Sequence, residues 1–269
     1  MFLPPILVFC FISLFSHEFA RRAEGKTVPA PCKISHTSDM LRKWECRRLR
    51  TGDTLESLFG DRWQDFARFN RIDRRHAYPG VSLKVPTQLD DTRGFTPMPG
   101  LYRPAESEAK FILIDLSEQF LGAYEYGRLV FSSPVATGEK SNKTPTGEFR
   151  ITGFNRNHRS SLYFVENTVI PYPMNYGLRF HVNTSGVSYW IHGRDVPGYP
   201  ASHGCIGLYD EAMQKKYYGF PKKPELDDAR KLYEWIVSAV PDDGKFHILE
   251  NGPKVVIIGH APEMRPSSQ

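Results

Sequence analysis

The sequence predicts a mainly β protein with a few helices: a β-sandwich-like domain from residue 109 onward, preceded by a small βααβ module at 46–86. Three observations carry this expectation. From Ala109 the chain runs as short apolar stretches separated by Gly- and Pro-bearing turns, the pattern of packed sheets. In that half one long run, Leu226, Ala229, Leu232, Tyr233, Ile236, Val237 and Val240, repeats at helical spacing and reads as an amphipathic helix lying on the sheet. Between residues 46 and 86, two strand-like segments flank two short helical ones.

The chain has 269 residues, enough for one large or two smaller domains with a real core. Its formal charge is +5, a mild basicity that suits acidic polymers in general. No basic run is dense enough to argue for nucleic acid, so no nucleic-acid partner is expected. Residues 2–15 form an apolar run too short for a membrane span. It reads as the core of a secretory signal at 1–23, cleaved near Ala20 or Ala23 or kept as an anchor. Either form implies export to the periplasm or cell envelope. Cys32, Cys46 and Cys205 remain after removal of the signal, and an odd count implies a free thiol or an intermolecular bridge. Cys32 and Cys46 lie close together in the N-terminal region and are expected to pair in an oxidising compartment, leaving Cys205 reduced.

After an N-terminal segment at 24–45, residues 46–50 read as a strand and Thr51-Gly52-Asp53-Thr54 as a turn into a helix at 55–59. A second helix fits 63–70, with Trp63, Phe66, Ala67 and Asn70 on one face. Tyr78-Pro79-Gly80 makes a turn, and 81–85 alternates as a strand should. With Gly52-Asp53-Thr54-Leu55, Phe69-Asn70 and Tyr78-Pro79-Gly80 in these places, the unit resembles a LysM carbohydrate-binding module. That resemblance implies an N-acetylated glycan held by Gly52, Asp53, Thr54, Asn70 and Tyr78; the alternative is a packing subdomain without a ligand. Residues 87–108, with Pro97, Pro99 and Pro104 among glycines, read as a semi-rigid linker.

In the larger domain, 111–116 and 120–126 form a hairpin across Ser117-Glu118-Gln119, and 128–136 a further strand. Residues 152–177 read as a long polar loop, and loops of that length in compact domains are often functional. It is expected to wall or cover a groove, with Tyr163, Phe164, Tyr172 and Tyr176 as its cover and His158 and Arg159 facing peptide carboxylates; a solvated surface loop is the alternative. His181, in a strand at 178–182, reads as structural. A closing hairpin is expected from 246–249 and 255–258 across Asn251-Gly252.

The chemistry concentrates at 191–208, IHGRDVPGYPASHGCIGL. A thiol is a weak nucleophile until a neighbour takes its proton, and His192 or His203 could do so for Cys205. Residues from Tyr209 look like a helix start with Asp210 as N-cap, which would place Cys205 in a field favouring thiolate. Zinc ligation by His192, His203 and Cys205 lacks a fourth ligand, so no metal is expected.

His192, then Ser202-His203-Gly204-Cys205-Ile206 after a short loop, resembles the active-site motif of YkuD-type L,D-transpeptidases, cysteine enzymes that remodel peptidoglycan. Gly207 stands where that family usually carries Asn or Arg. Thr144-Pro145-Thr146-Gly147 before Phe149 matches a second signature of the same domain, placed here at 109–260. The resemblance implies that His192 deprotonates Cys205, that the Gly193 carbonyl fixes the imidazole tautomer, and that the Gly204 and Cys205 amides form the oxyanion hole. His203 would brace the site or touch substrate. Ser202, Gly207, Tyr176, His158 and Arg159 are the expected substrate contacts. The reaction implied is attack on a stem peptide at meso-diaminopimelate, release of D-Ala, and transfer of the thioester to an amine, with no cofactor. Partners would be peptidoglycan stem peptides and glycan strands, with a wall-anchored lipoprotein among the possible acceptors. The alternatives are an L,D-carboxypeptidase, in which water is the acceptor, and an inactive glycan-binding wall protein.

Overall fold

The computed structural model describes residues 31–237 and 243–263. The signal expected at 1–23 lies outside the described residues. None of the helices among the described residues is long and apolar enough to cross a membrane.

After two short 3-10 turns at Pro31–Lys33 and Thr37–Leu41 come β1 (Trp44–Arg48), α1 (Leu55–Phe59), α2 (Trp63–Phe69) and β2 (Ser82–Pro86). β1 and β2 pair antiparallel, Trp44 opposite Pro86 and Arg48 opposite Ser82. α1 starts where the turn chemistry places it: Thr54 is the N-cap, its hydroxyl accepting from Ser57 N at 3.0 Å. Cys32 and Cys46 are disulfide-bonded with Cα atoms 6.0 Å apart, and Cys205 is free.

Two five-stranded sheets follow. One orders β5 (Arg128–Pro134), β4 (Phe120–Glu125), β3 (Phe111–Asp115), β12 (Lys254–Ile258) and β6 (Gly147–Arg150). The other orders β10 (Ile206–Tyr209), β9 (Ser188–Arg194), β8 (Pro171–Val182), β7 (Gly153–Phe164) and β11 (His247–Ile248). They share one core: Ile112, Ile114, Leu121 and Ile257 from the first sheet meet Leu178, Ile191, Ile206 and Leu208 from the second. α3 (Glu211–Tyr218) follows β10, and α4 (Asp228–Ile236) adds Ala229, Leu232, Tyr233 and Ile236 to the same core, as its spacing predicts.

Four expectations are corrected by the tertiary structure. Residues 152–177 are not an open loop. Most of them lie in the long antiparallel pair β7–β8, whose register shifts between Arg159 and Phe164, where the Leu162 and Tyr163 amides donate to Ser160 Oγ instead. The closing segments do not form a hairpin. β11 pairs with β7, whereas β12 inserts between β3 and β6, so the turn at Asn251-Gly252 carries the chain from one sheet to the other. Residues 87–108, expected as a semi-rigid linker, are packed onto the larger domain: Phe95, Met98 and Ala105 are buried in a cluster with Phe69, Phe111, Phe120 and Tyr124.

The module at 46–86 is, fourthly, not separate in its packing. Leu49, Leu55, Trp63, Ala67 and Ile72 share a core with Val196, Tyr209 and Leu226 of the larger domain. Polar contacts reinforce the seam. Tyr209, at the end of β10, donates its hydroxyl to the carbonyls of Ala67 and Ile72 at 3.2 and 3.1 Å. Arg74 Nε donates to Glu211 Oε1 at 2.7 Å, and Glu211 is fully buried. A second buried cluster links the N-terminal segment to both parts, with Arg71 against Asp39 and Glu118, and Lys84 paired to Asp39. Burial first, and then the neighbouring Arg71 cation, bring the Lys84 ammonium down to about 8.

Candidate active site

β9 and β10 run parallel and edge to edge, with His192 opposite Gly207 and Ile191 opposite Ile206. Parallel strands need a crossover, and here it is the loop at 195–205, which returns the chain to deliver Cys205 at the foot of β10. The loop is stapled internally. Ser202 Oγ donates to the Cys205 carbonyl at 2.5 Å and accepts from Gly204 N at 3.1 Å. It is also tied to the segment at 136–144. The Ala201 and Ser202 amides donate to the Thr137 carbonyl, and Thr144 Oγ1 donates to the Gly204 carbonyl at 2.9 Å while accepting from Gly138 N at 2.8 Å. The first threonine of the Thr-Pro-Thr-Gly signature therefore holds the cysteine loop in place. Gly204 has φ +109°, and a Cβ there would meet the Tyr189 ring at 2.6 Å, so only glycine fits beside Cys205.

His192 is 3 % exposed. Its Nδ1 lies 2.9 Å from the Gly193 carbonyl. A carbonyl only accepts, so Nδ1 carries the proton and Nε2 keeps the lone pair that a general base needs. His192 and Cys205 open into one cleft of about 580 Å³, walled by the outer part of β7–β8 on one side and the cysteine loop on the other. Tyr163 stacks on the exposed His203 at 4.2 Å between ring centroids, and His158 stacks on Trp190 at 4.1 Å.

Burial dominates the electrostatics. Desolvation, helped by the Arg194 cation, holds the His192 imidazolium down to about 3. Desolvation also pushes the Cys205 thiol up, and a main-chain hydrogen bond at Trp190 and the charge of Arg194 draw it only partly back. The resting pair is thus a neutral thiol beside a neutral imidazole. The expected helix-terminal thiolate is corrected by distance as well: α3 begins at Glu211, capped by Asp210 on Met213 N at 2.9 Å, and the four residues of β10 separate it from Cys205. Alkylation of Cys205 by iodoacetamide should accordingly be slow at pH 6 and rise about tenfold per pH unit through pH 8, since only the thiolate reacts. A rate already at its plateau at pH 6 would mean a preformed thiolate–imidazolium pair.

The structure sorts the other expected residues. His158, Ser202 and His203 line the cleft. Ser202 is 1 % exposed and is spent on the loop staple, so it holds the Cys205 backbone rather than facing a ligand. Of the two expected oxyanion donors, the Gly204 amide is given to Ser202, which leaves the Cys205 amide. Arg159 is exposed and its guanidinium reaches back to the Pro171 carbonyl, away from the cleft. Tyr176 carries a positive φ of 58°, which breaks the two-residue alternation. Its ring turns to Tyr233 and the core, while Tyr172 and Met174 of the same strand line the cleft. Gly207 packs under Arg194, a cleft residue that sequence reasoning missed together with Trp190; the signal that could have found them was their period-two placement with His192 on one strand.

In the N-terminal module, Asn70 is 2 % exposed. Its amide nitrogen donates to the Phe66 and Lys84 carbonyls and its oxygen accepts from Lys84 N, so it offers nothing to a sugar. Thr54 caps α1, and Gly52 shapes the turn with φ +90°. Tyr78 is exposed. Asp53 borders a separate hollow lined by Arg47, Arg48, Leu49 and Arg50.

The family model for the YkuD L,D-transpeptidase catalytic domain matches residues 109–257. A curated Bacillus licheniformis protein named as L,D-transpeptidase YkuD is 28 % identical over 166 residues, covering 61 % of this chain and 86 % of that one. Among solved structures, this chain is similar to an L,D-transpeptidase (Yku) from Stackebrandtia nassauensis, with 23 % identity, 58 % of each chain covered and a TM-score of 0.38. The chain thus spans 58 % of the length of that structure. It is also similar to an L,D-transpeptidase fragment from Xylanimonas cellulosilytica, with 23 % identity, 72 % of this chain and 77 % of that one covered, and a TM-score of 0.41.

Proposed function

This chain belongs to the YkuD family of L,D-transpeptidase catalytic domains, and from that premise we propose that it is an exported peptidoglycan L,D-transpeptidase acting through a Cys205 thioester. The observation that carries the reading is the shared cleft of Cys205 and His192, with the imidazole tautomer set by the Gly193 carbonyl.

Because both groups are neutral at rest, proton transfer accompanies attack rather than preceding it. His192 Nε2 takes the thiol proton as Cys205 Sγ adds to the carbonyl joining meso-diaminopimelate to D-Ala. The oxyanion that develops is met by the Cys205 amide. Collapse breaks the peptide bond, and the proton on Nε2 goes to the departing D-Ala amine, leaving a thioester. An amine of a second stem peptide then adds, Nε2 takes its proton, and the thiolate leaves and is reprotonated from His192. Tyr163 over His203 shields the cleft from one side, which favours a positioned amine over bulk water. In the same proposal the module at 46–86 meets glycan strands through its exposed face, with Asp53, Tyr78 and the arginine-lined hollow in place of the buried Asn70. The Cys32–Cys46 disulfide fits the oxidising compartment in which such a substrate lies.

The test is incubation of the purified chain with disaccharide tetrapeptide and graded amine acceptors, followed by mass spectrometry. The expected products are a cross-linked dimer or an exchanged D-amino acid, with free D-Ala. Tripeptide and D-Ala alone at every acceptor concentration would make the protein an L,D-carboxypeptidase and sink the transferase reading.

A further inference from the structure

Arg194 stands two residues beyond His192 on β9, where the pleat puts both side chains on one face. Its aliphatic stem crosses Gly207 of the adjoining strand so closely that a Cβ at Gly207 would overlap Arg194 Cγ and Cδ. The guanidinium is then anchored by two main-chain carbonyls, Nε to Asp195 O and Nη2 to Ala201 O, each at 3.1 Å. Both anchors are neutral. Arg194 makes no ion pair with a carboxylate among the described residues, and it lines the cleft that holds Cys205. A half-buried, pre-oriented guanidinium with donors left over and no counter-ion is suited to a carboxylate, which it can meet with two parallel hydrogen bonds.

We propose that Arg194 is the carboxylate-binding residue of this cleft, and that Gly207 is glycine in order to let the Arg194 side chain cross it. The ligand class is an acyl-donor peptide bearing a free carboxylate next to the scissile bond. This rests on the transpeptidase reading for the identity of the donor, but carboxylate recognition itself does not require acyl transfer. A stem tetrapeptide offers two such groups, the terminal D-Ala carboxylate and the free carboxylate of the diaminopimelate side chain. The Arg194 charge also bears on both His192 and Cys205. A carboxylate arriving there cancels part of that charge, so the imidazole becomes a stronger base when the donor is in place.

The experiment separates binding from turnover. The full chain carrying Cys205→Ala is titrated by calorimetry with the tetrapeptide and with two monoamides of it, each having one of these two carboxylates replaced by an amide. With Arg194 present, one monoamide should bind at least about tenfold more weakly than the unamidated tetrapeptide, a difference of about 1.4 kcal/mol. That arm identifies the carboxylate. Adding Arg194→Ala should bring the unamidated tetrapeptide down to the level of that monoamide and leave the monoamide unchanged; Arg194→Lys should retain part of the preference. Gly207→Arg alone should collide with Arg194, whereas Arg194→Ala with Gly207→Arg should restore the preference, because the new side chain grows into the same channel. Equal weakening of all three ligands by Arg194→Ala would make Arg194 a scaffold residue and overturn the proposal. Absence of any carboxylate preference, or of any binding, would overturn it as well. Turnover is read separately on the Cys205 protein. Carboxylate-selective binding without acyl transfer refutes the transpeptidase reading alone, and acyl transfer without selectivity refutes the Arg194 proposal alone.

Discussion

Replacing Cys205 by alanine removes turnover of a tetrapeptide donor to below about 10⁻⁴ of the parent rate, the scale on which loss of a nucleophile is felt. The fold survives. The side chain is small and only partly buried, and the contacts that hold the loop run through the backbone: Ser202 Oγ to the Cys205 carbonyl, and Thr144 Oγ1 to the Gly204 carbonyl. The measurement is product formation by mass spectrometry beside a circular dichroism melt. Retained turnover with an unchanged melt would end the nucleophile assignment. His192→Gln should cost a comparable factor without changing the slow alkylation of Cys205 at pH 6, since the resting imidazole does not ionise the thiol.

Deleting residues 46–86 has the second large effect, and it falls on stability. A tethered sugar-binding module could be removed with turnover of soluble peptide intact. Here removal uncovers Val196, Tyr209 and Leu226, and it leaves buried Glu211 and Asp228 without Arg74 and Arg68. The deleted chain is therefore expected to be insoluble or to lose its cooperative melt. The point variant Glu211→Ala isolates the polar part. It strips the guanidinium of Arg74 and the amides of Glu225 and Leu226 of their shared acceptor, and breaking a buried pair of this kind costs about 3–5 kcal/mol. For a domain of this size that corresponds to a fall in melting temperature on the order of 10 °C. A deletion variant that melts cooperatively and turns over soluble peptide at the parent rate would show that the module is separable after all.

The same seam ties the module to the site. Tyr209 ends the strand that begins one residue after Cys205, and its hydroxyl is fixed by carbonyls of the module. The crossover loop is fixed from the module side too, where Asp73 Oδ2 accepts from Val196 N at 2.7 Å. Asp73, His76 and Asp195 are close enough to hold an ion, but Asp73 is already engaged by the Val196 amide, His76 and Gln214. That cluster is better explained as part of the seam.

Features that depend on neighbours in the chain were legible before any coordinates. The Ser-His-Gly-Cys run with a histidine a short loop before it, the turn at 51–54 into α1, the Asp210 cap, the two short helices of the module and the apolar face of α4 are local patterns, set by turn chemistry and by periods of 2 and 3.6 residues. Long-range packing settled what depends on partners far away. Whether 246–249 pairs with 255–258 or with β7 is a choice of sheet, not of propensity, because a short apolar run fits either. Whether 87–108 hangs free was settled by the apolar surface of β3 and β4, which Phe95 and Met98 cover. The protonation states of Cys205 and His192 follow from desolvation, which no spacing of residues encodes. Gly207 looked like a missing polar residue in the motif. Only when β9 is laid beside β10 does Arg194 occupy its space, because strand pairing brings together side chains that are thirteen positions apart in the chain.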